Sequence, residues 1–169
     1  MQLFETERLY ARRLTLSDIE PMLSIYGDIE TVRFVGDSSP ITREECLQWV
    51  EVTNSNFLLR GYGMVAFCNQ ETDEVIGCGG IVHPGQQDQP EIKYAFRRNC
   101  WGQGYATEAI TALVQFAQSN WNVGEMIATV APGNSASQHV LSKLGFIHVE
   151  DQTNEDASIT QVWAIKAQS

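Results

Sequence analysis

The chain has no apolar run approaching the roughly 20 residues that span a bilayer, so no membrane helix is expected. Its opening, MQLFETERLYARRL, lacks the apolar core of a secretory leader. Basic residues are scarce: 11 Lys and Arg stand against 21 Asp and Glu, a formal net charge of −10. That balance argues against a nucleic-acid-binding surface and weakly suits a cationic partner such as an amine. Cys46, Cys68, Cys78 and Cys100 supply no CxxC pair, so reduced thiols in a cytoplasmic protein are expected, without disulfides. His83, His139 and His148 have no metal-ligand spacing with a cysteine or carboxylate pair, and no metal is expected. Repeats, low-complexity tracts and linkers are missing too, which leaves 169 residues at 43% hydrophobic to form one domain, 1–169, with a sizeable core.

What is present is a change of period inside Glu91–Ala117, EIKYAFRRNCWGQGYATEAITALVQFA. Ile92, Tyr94 and Phe96 alternate with Lys93, Ala95 and Arg97, which predicts a strand. Ala106, Ala109, Ile110, Leu113, Val114 and Ala117 then fall at spacings of three and four, which predicts a helix starting near Tyr105. Strand feeds helix through Gly102-Gln103-Gly104, where glycine permits positive φ and leaves no Cβ to block a ligand. The first helical turn offers unpaired N–H groups, so the unit predicts an anion cradle. The dinucleotide loop G-x-G-x-x-G is excluded because Thr107 stands where the third glycine belongs, and no Gly-Lys-Ser/Thr follows for a nucleoside triphosphate.

The remaining elements follow in order. Arg8–Leu14 alternates as a first strand, and Ser17 with Glu20 has capping-box spacing for a helix burying Met22, Ile25 and Tyr26 and ending at Gly27. A short helix or turn is expected over 28–35. Thr42 and Glu45 cap a longer helix through Leu58, with Leu47, Val50 and Phe57 inward. Tyr62–Asn69 and Glu74–His83 form an antiparallel hairpin whose Gly77, Gly79 and Gly80 mark a bulge. Glu125–Ala131 is a strand, Asn134 caps a helix to Leu144, and Phe146–Val149 and Ile159–Lys166 are strands joined by an acidic polar segment. Mostly antiparallel strands around two helical crossovers place the chain in the α/β class with a mixed sheet.

Three stretches carry a resemblance that covers nearly the whole chain in order: TERLYARRLTLSD with DIETVRFVG, then YAFRRNCWGQGYATEAI, then PGNSASQHVLSKLGF. Together they resemble the GNAT acyltransferase superfamily, in particular its branch of ribosomal-protein N-terminal alanine acetyltransferases. The resemblance implies a GNAT fold: a mixed, mostly antiparallel sheet of six to seven strands, splayed between central strands 91–97 and 125–131 and flanked by helices. It implies acetyl-CoA as cofactor, leaving as coenzyme A, with its pyrophosphate on the N–H groups around Gly102, Gln103, Gly104, Tyr105 and Ala106, and Phe96 and Trp101 beside them. Arg97 and Arg98, each weighed against a solvated basic patch, and Lys143 are candidate phosphate contacts; Asn99 departs from the Gln or Arg with which the family's loop often opens.

The implied reaction is direct attack of a primary amine, without an acyl-enzyme. It needs an unprotonated amine, a donor for the developing oxyanion and a proton for the leaving thiolate. By resemblance, a backbone N–H near Tyr94–Arg97 is the oxyanion donor. Glu91 is the candidate base, against an ordinary exposed strand-end glutamate. The helix tyrosine that many relatives use as acid is replaced by Leu141, which shifts the thiol-side role to Ser137, also a cofactor contact; Asn134 resembles the residue that bonds the cofactor arm. Glu108 matches the branch's Ala-Thr-Glu-Ala pattern or supports its own helix, and Cys100 has no orienting histidine for a nucleophilic role. The acceptor, a small-molecule or peptide amine, would be chosen by walls around 28–40, 83–90 and 150–158, in a monomer or homodimer. A non-catalytic acyl-CoA-binding or interaction module is the alternative.

Overall fold

The computed structural model describes residues 2–35 and 38–168; Gly36, the last residue of the stretch DIETVRFVG, lies outside them. The elements are β1 (Gln2–Glu5), β2 (Leu9–Arg13), α1 (Ile19–Tyr26), α2 (Arg43–Arg60), β3 (Met64–Asn69), β4 (Val75–Val82), β5 (Glu91–Phe96), α3 (Tyr105–Asn120), β6 (Met126–Val130), α4 (Ser135–Leu144), β7 (Ile147–Thr153) and β8 (Ile159–Ile165). Among the described residues, eight strands form one sheet in the order β1-β2-β3-β4-β5-β6-β8-β7. Every neighbouring pair is antiparallel except β5 and β6, which run parallel.

Alternation along the strands divides the core between the two faces. Leu9, Ala11, Val65, Phe67, Ile92 and Phe96 pack with Ile110, Leu113 and Leu141 of α3 and α4. Tyr10, Met64, Ala66, Cys68 and Ala95 turn to the other face, against Met22, Ile25 and Val50 of α1 and α2. The helices thus cover both sides of the sheet, and each fully buried Leu or Ile contributes about 1.5–3 kcal/mol of burial.

Four sequence expectations are corrected. The strand count is eight rather than six to seven, because β1 is a four-residue edge strand too short to show a period. The box before α1 is formed by Thr15 and Asp18 rather than Ser17 and Glu20. The reason is tertiary: Arg12 grips the Asp18 carboxylate through both terminal nitrogens at 2.9 and 2.8 Å, while Glu20 reaches Arg43 on α2. Leu47 faces outward at 41% exposure, since α2 buries Cys46, Val50 and Thr53 instead. Finally, β7 runs on to Thr153 through the acidic segment; all seven of its residues are exposed, so no burial alternation marks it. The Thr42/Glu45 box and the Asn134 cap are found as expected.

Two arrangements fix the site's surroundings. The first is the glycine run of β4. A bulge lies between Phe67 and Cys68 of the β3–β4 ladder, beside Gly77. A Cβ at Gly77 would stand 2.5 Å from the Phe96 ring, which stacks on Phe67 with centroids 5.5 Å apart. At Gly80 it would stand 2.3 Å from the Gly63 carbonyl oxygen and 2.6 Å from the Met64 Cα. The second is a tie between the amino-terminal strands and α3. Glu108 accepts from the Thr6 hydroxyl, from Arg8 N–H at 2.9 Å and from Arg8 Nε at 2.7 Å. Burial pulls the Glu108 carboxyl upward, but these donors outweigh it and hold the group below its ordinary value.

Two outcomes follow. Gly80→Ala meets backbone that cannot step aside, and should cost about 2 kcal/mol or more, lowering Tm by roughly 4–8 °C; an unchanged Tm would show the strands can spread. A depressed carboxyl stabilises the fold above its unfolded value, near 4.3, and loses that contribution as pH falls through the folded value. Glu108→Gln should therefore be destabilising at neutral pH, with the Tm difference from wild type shrinking below about pH 4; a pH-independent difference would remove the charged tie.

Candidate active site

The loop after β5 is braced from below. Trp101 donates from Nε1 to the Phe96 carbonyl at 2.9 Å, and Gln103 donates from Nε2 to the Asn99 carbonyl at 3.0 Å. Arg8 donates from Nη1 to the Gln103 carbonyl at 2.9 Å and lies 4.1 Å over the Tyr105 ring. The same arginine that holds Glu108 therefore holds the glycine loop. Gly102 and Gly104 have φ of 75° and 80°, as anticipated, and a Cβ at Gly102 would meet nothing within 4 Å. Gly104 is the N-cap of α3 and no side chain caps the helix, so the N–H groups of its first turn, at Tyr105 and Ala106, point out unsatisfied. A diphosphate fits such a cradle, because backbone donors and the helix dipole favour anions and the space a Cβ would fill is open.

The side chains expected around the cradle are placed unevenly. Arg97 donates from Nη2 to the Val75 carbonyl at 2.9 Å, and its Nε is buried without a partner. Arg98 pairs with Asp28 at 2.9 Å. Lys143, in the last turn of α4, opens on a separate cleft of about 580 Å³ shared with Thr111, Glu125 and Lys166. Among the side-chain contacts of these three in the described residues, none is to the glycine loop. The Phe96 ring is committed to the core, which leaves its backbone for the site. Burial pushes the Cys100 thiol up, and nearby Arg97 only partly offsets it, so a reactive thiolate is disfavoured.

Above the cradle the sheet opens. β5 and β6 share one register pair, Glu91 opposite Ile127, where Ile127 N–H donates to the Pro90 carbonyl at 2.9 Å. Arg97 N–H donates the other way, to Ile76 on β4, at 2.8 Å. Backbone groups alternate along a strand, so the N–H groups of Tyr94 and Phe96 share the direction of Pro90, toward β6. Beyond the single pair no ladder meets them, and they are two open donors in the gap. Of the span expected to hold such a donor, Arg97 is thereby ruled out.

A cleft of about 770 Å³ occupies this gap, lined among others by Tyr94, Thr129, Asn134 and Ser137. Asn134 accepts from Ser137 N–H at 3.2 Å through Oδ1, so its capping leaves Nδ2 available. The Tyr94 hydroxyl and the Ser137 hydroxyl are 2.7 Å apart, joining β5 to α4 across the cleft. Burial raises the Tyr94 phenol, and Ser137 opposes this only in part, so the phenol stays protonated at neutral pH. Glu91 is 3% exposed, not a solvated strand end. Its carboxylate accepts from Thr129 Oγ1 at 2.8 Å and from Gln87 Nε2 at 3.3 Å, and Lys93 Nζ lies 3.1 Å away. His83 Nδ1 faces the Gln87 carbonyl at 2.9 Å, which can only accept, so Nδ1 carries a proton, and Nε2 lies 2.7 Å from the Tyr62 hydroxyl.

Sequence reasoning missed the Tyr94 side chain, Thr129 and Arg8. For Tyr94 only the backbone was given a role, its side chain being read as one of the strand's alternating set; the Leu141 position, without a tyrosine, was the one hint to look for a hydroxyl elsewhere. Arg8 gave no signal, because its partners Glu108 and Gln103 lie about a hundred residues away.

Comparison with known proteins accounts for this arrangement. Residues 8–147 match the acetyltransferase (GNAT) domain family. Over 147 residues the chain is 29% identical to an uncharacterized N-acetyltransferase p20 of Bacillus licheniformis, covering 86% of this chain and 83% of that one. An acetyltransferase from Agrobacterium tumefaciens superposes with TM-score 0.79 at 25% identity, covering 96% and 92% of the two chains. RimL, a ribosomal L7/L12 α-N-protein acetyltransferase solved with coenzyme A, superposes with TM-score 0.80 at 16% identity, covering 99% and 98%. An eight-stranded sheet opened between two parallel central strands, with a glycine cradle below the opening, is thus the scaffold of an acyltransferase, and the chain belongs to the GNAT acetyltransferase family.

Proposed function

We propose that the protein transfers the acetyl group of acetyl-CoA to a primary amine by direct attack, and that its single domain is sufficient for this. The observation that carries the proposal is the coincidence of two sets of open backbone donors: the uncapped first turn of α3 and the N–H groups of Tyr94 and Phe96 in the gap. When bound, the cofactor supplies an acetyl thioester. Gly102–Ala106 hold its diphosphate, Asn134 Nδ2 is offered to the amide-bearing arm, and the Tyr94 and Phe96 N–H groups face the position of developing negative charge. Such fixed donors cost no reorganisation during the reaction.

Protons are handled by two pairs. The Tyr94 and Ser137 hydroxyls form a donor chain on the thiol side, in place of the phenol that Leu141 removes from α4. Glu91 serves the amine side through Thr129, whose hydroxyl bonds its carboxylate and lines the cleft. An α-amine, with an ordinary pKa near 8, asks less of a base than a lysine near 10.4, so a protein amino terminus or a small-molecule amine of similar basicity is the acceptor proposed.

Two experiments decide the proposal. Acetyl-CoA should raise Tm in a concentration-dependent manner, and no shift at millimolar cofactor would remove the cradle assignment. With an amine panel, Ser137→Ala and Tyr94→Phe should each lower kcat about ten- to hundredfold while leaving KM for acetyl-CoA nearly unchanged. The double variant should be no worse than either single one, as expected of groups acting as a unit. Multiplying losses would separate the two hydroxyls, and unchanged turnover would remove both.

A further inference from the structure

The cleft wall contradicts the charge of the chain. Acidic residues outnumber basic ones by 21 to 11, yet among the described residues no Asp or Glu lines the cleft, whereas Arg33, Arg60 and Lys93 do. Lys93 is balanced by Glu91 at 3.1 Å. The two arginines are not balanced. Arg8, Arg12, Arg43 and Arg98 each meet a carboxylate, but among the described residues neither Arg33 nor Arg60 has one within ion-pair distance. Arg33 instead lies 5.2 Å from the face of Phe34.

The cofactor does not account for these charges, because the glycines that cradle its phosphates are not part of this wall. Arg33 belongs to the segment between α1 and α2, and Arg60 is the last residue of α2. Besides these charges the lining mixes apolar side chains such as Phe34, Trp49 and Val52 with polar ones such as Asn56, Asn154 and Ser158. A diamine or polyamine would bring a second ammonium to a wall with no carboxylate to receive it. An anion would find guanidinium forks suited to bidentate contact, in a molecule whose overall field otherwise repels it.

We infer that the acceptor is an amine that also carries an anionic group, a carboxylate in the simplest case, held by Arg33 and Arg60 at the mouth of the cleft. This rests on the acetyltransferase reading of the same site and names its substrate class. The cationic wall has a second effect in the same direction: nearby positive charge favours the unprotonated form of the attacking amine.

The test compares acceptors matched in their amine. One arm uses peptide amides with a free alanine terminus followed by two Asp, two Asn or two Lys residues. The other uses 6-aminohexanoate, its carboxamide and 1,6-diaminohexane. Thiol release from acetyl-CoA should give kcat/KM for the anionic member about tenfold above its neutral isostere, with the cationic member lowest. The ratio should shrink in high salt and fall toward one in Arg33→Gln and Arg60→Gln. The arm that shows the preference tells a peptide terminus from a free amino acid. A cationic acceptor that equals or exceeds the anionic one overturns the inference, as does a preference indifferent to both substitutions. If no acceptor turns over, titration of the coenzyme A-loaded protein with the N-acetylated peptides reads the same ratio, and equal or absent binding overturns it. Failure of the underlying reading is seen separately, as loss of the Tm rise with acetyl-CoA.

Discussion

β5 and β6 run parallel but touch at one register pair, and nearly everything else in the site depends on how that contact is confined. At Glu91 the strands are joined twice, by the backbone bond from Ile127 to Pro90 and by the Thr129 hydroxyl on the Glu91 carboxylate. Beyond it they separate. A continuous ladder would consume the N–H groups of Tyr94 and Phe96 and close the space into which Tyr94, Asn134 and Ser137 open. The gap persists because each strand is secured on its far side, β5 to β4 over six residue pairs and β6 to β8 over five. Open backbone donors are costly when buried and dry, so an open gap of this kind is suited to a ligand that brings acceptors.

The charges are arranged on the same plan. Most basic side chains serve the fold: Arg12 on Asp18, Arg8 on Glu108 and the glycine loop, Arg98 on Asp28. Arg8 connects the amino-terminal strand pair to the cradle, so the loop's conformation depends on β2 as well as on its own glycines. With so few cations available, two that meet no carboxylate among the described residues beside the cleft are more informative than their number suggests. Net charge describes the molecule from a distance; the wall sets the field that an acceptor meets within a Debye length of about 8–10 Å.

How much was legible in advance can be argued from particular residues. The β5–α3 unit was, because its signals are local: period two, then two glycines, then spacings of three and four. Thr42 with Glu45 and the Asn134 cap were legible for the same reason, since a cap forms between residues three apart. The box at Thr15 and Asp18 was not, because Arg12 decided between it and the equally spaced Ser17 and Glu20. Arg97 and Arg98 were candidate phosphate contacts, and the partners they have in the fold, the Val75 carbonyl on β4 and Asp28, are ones that no local spacing announces. Tyr94 looked like one more strand residue until α4 brought Ser137 to 2.7 Å.

The sequence by itself determined the cradle's glycines and the elements that set the class of fold, because each is written in spacings within about thirty residues, and three such stretches in order along the chain carried the resemblance that named a cofactor. Tertiary structure alone decided which backbone donors stay open, which hydroxyl partners Ser137, and which cations beside the cleft meet no carboxylate among the described residues. Those outcomes depend on how strands remote in sequence diverge and which side chains meet across the space between them, and neither quantity has a period that a single chain can display.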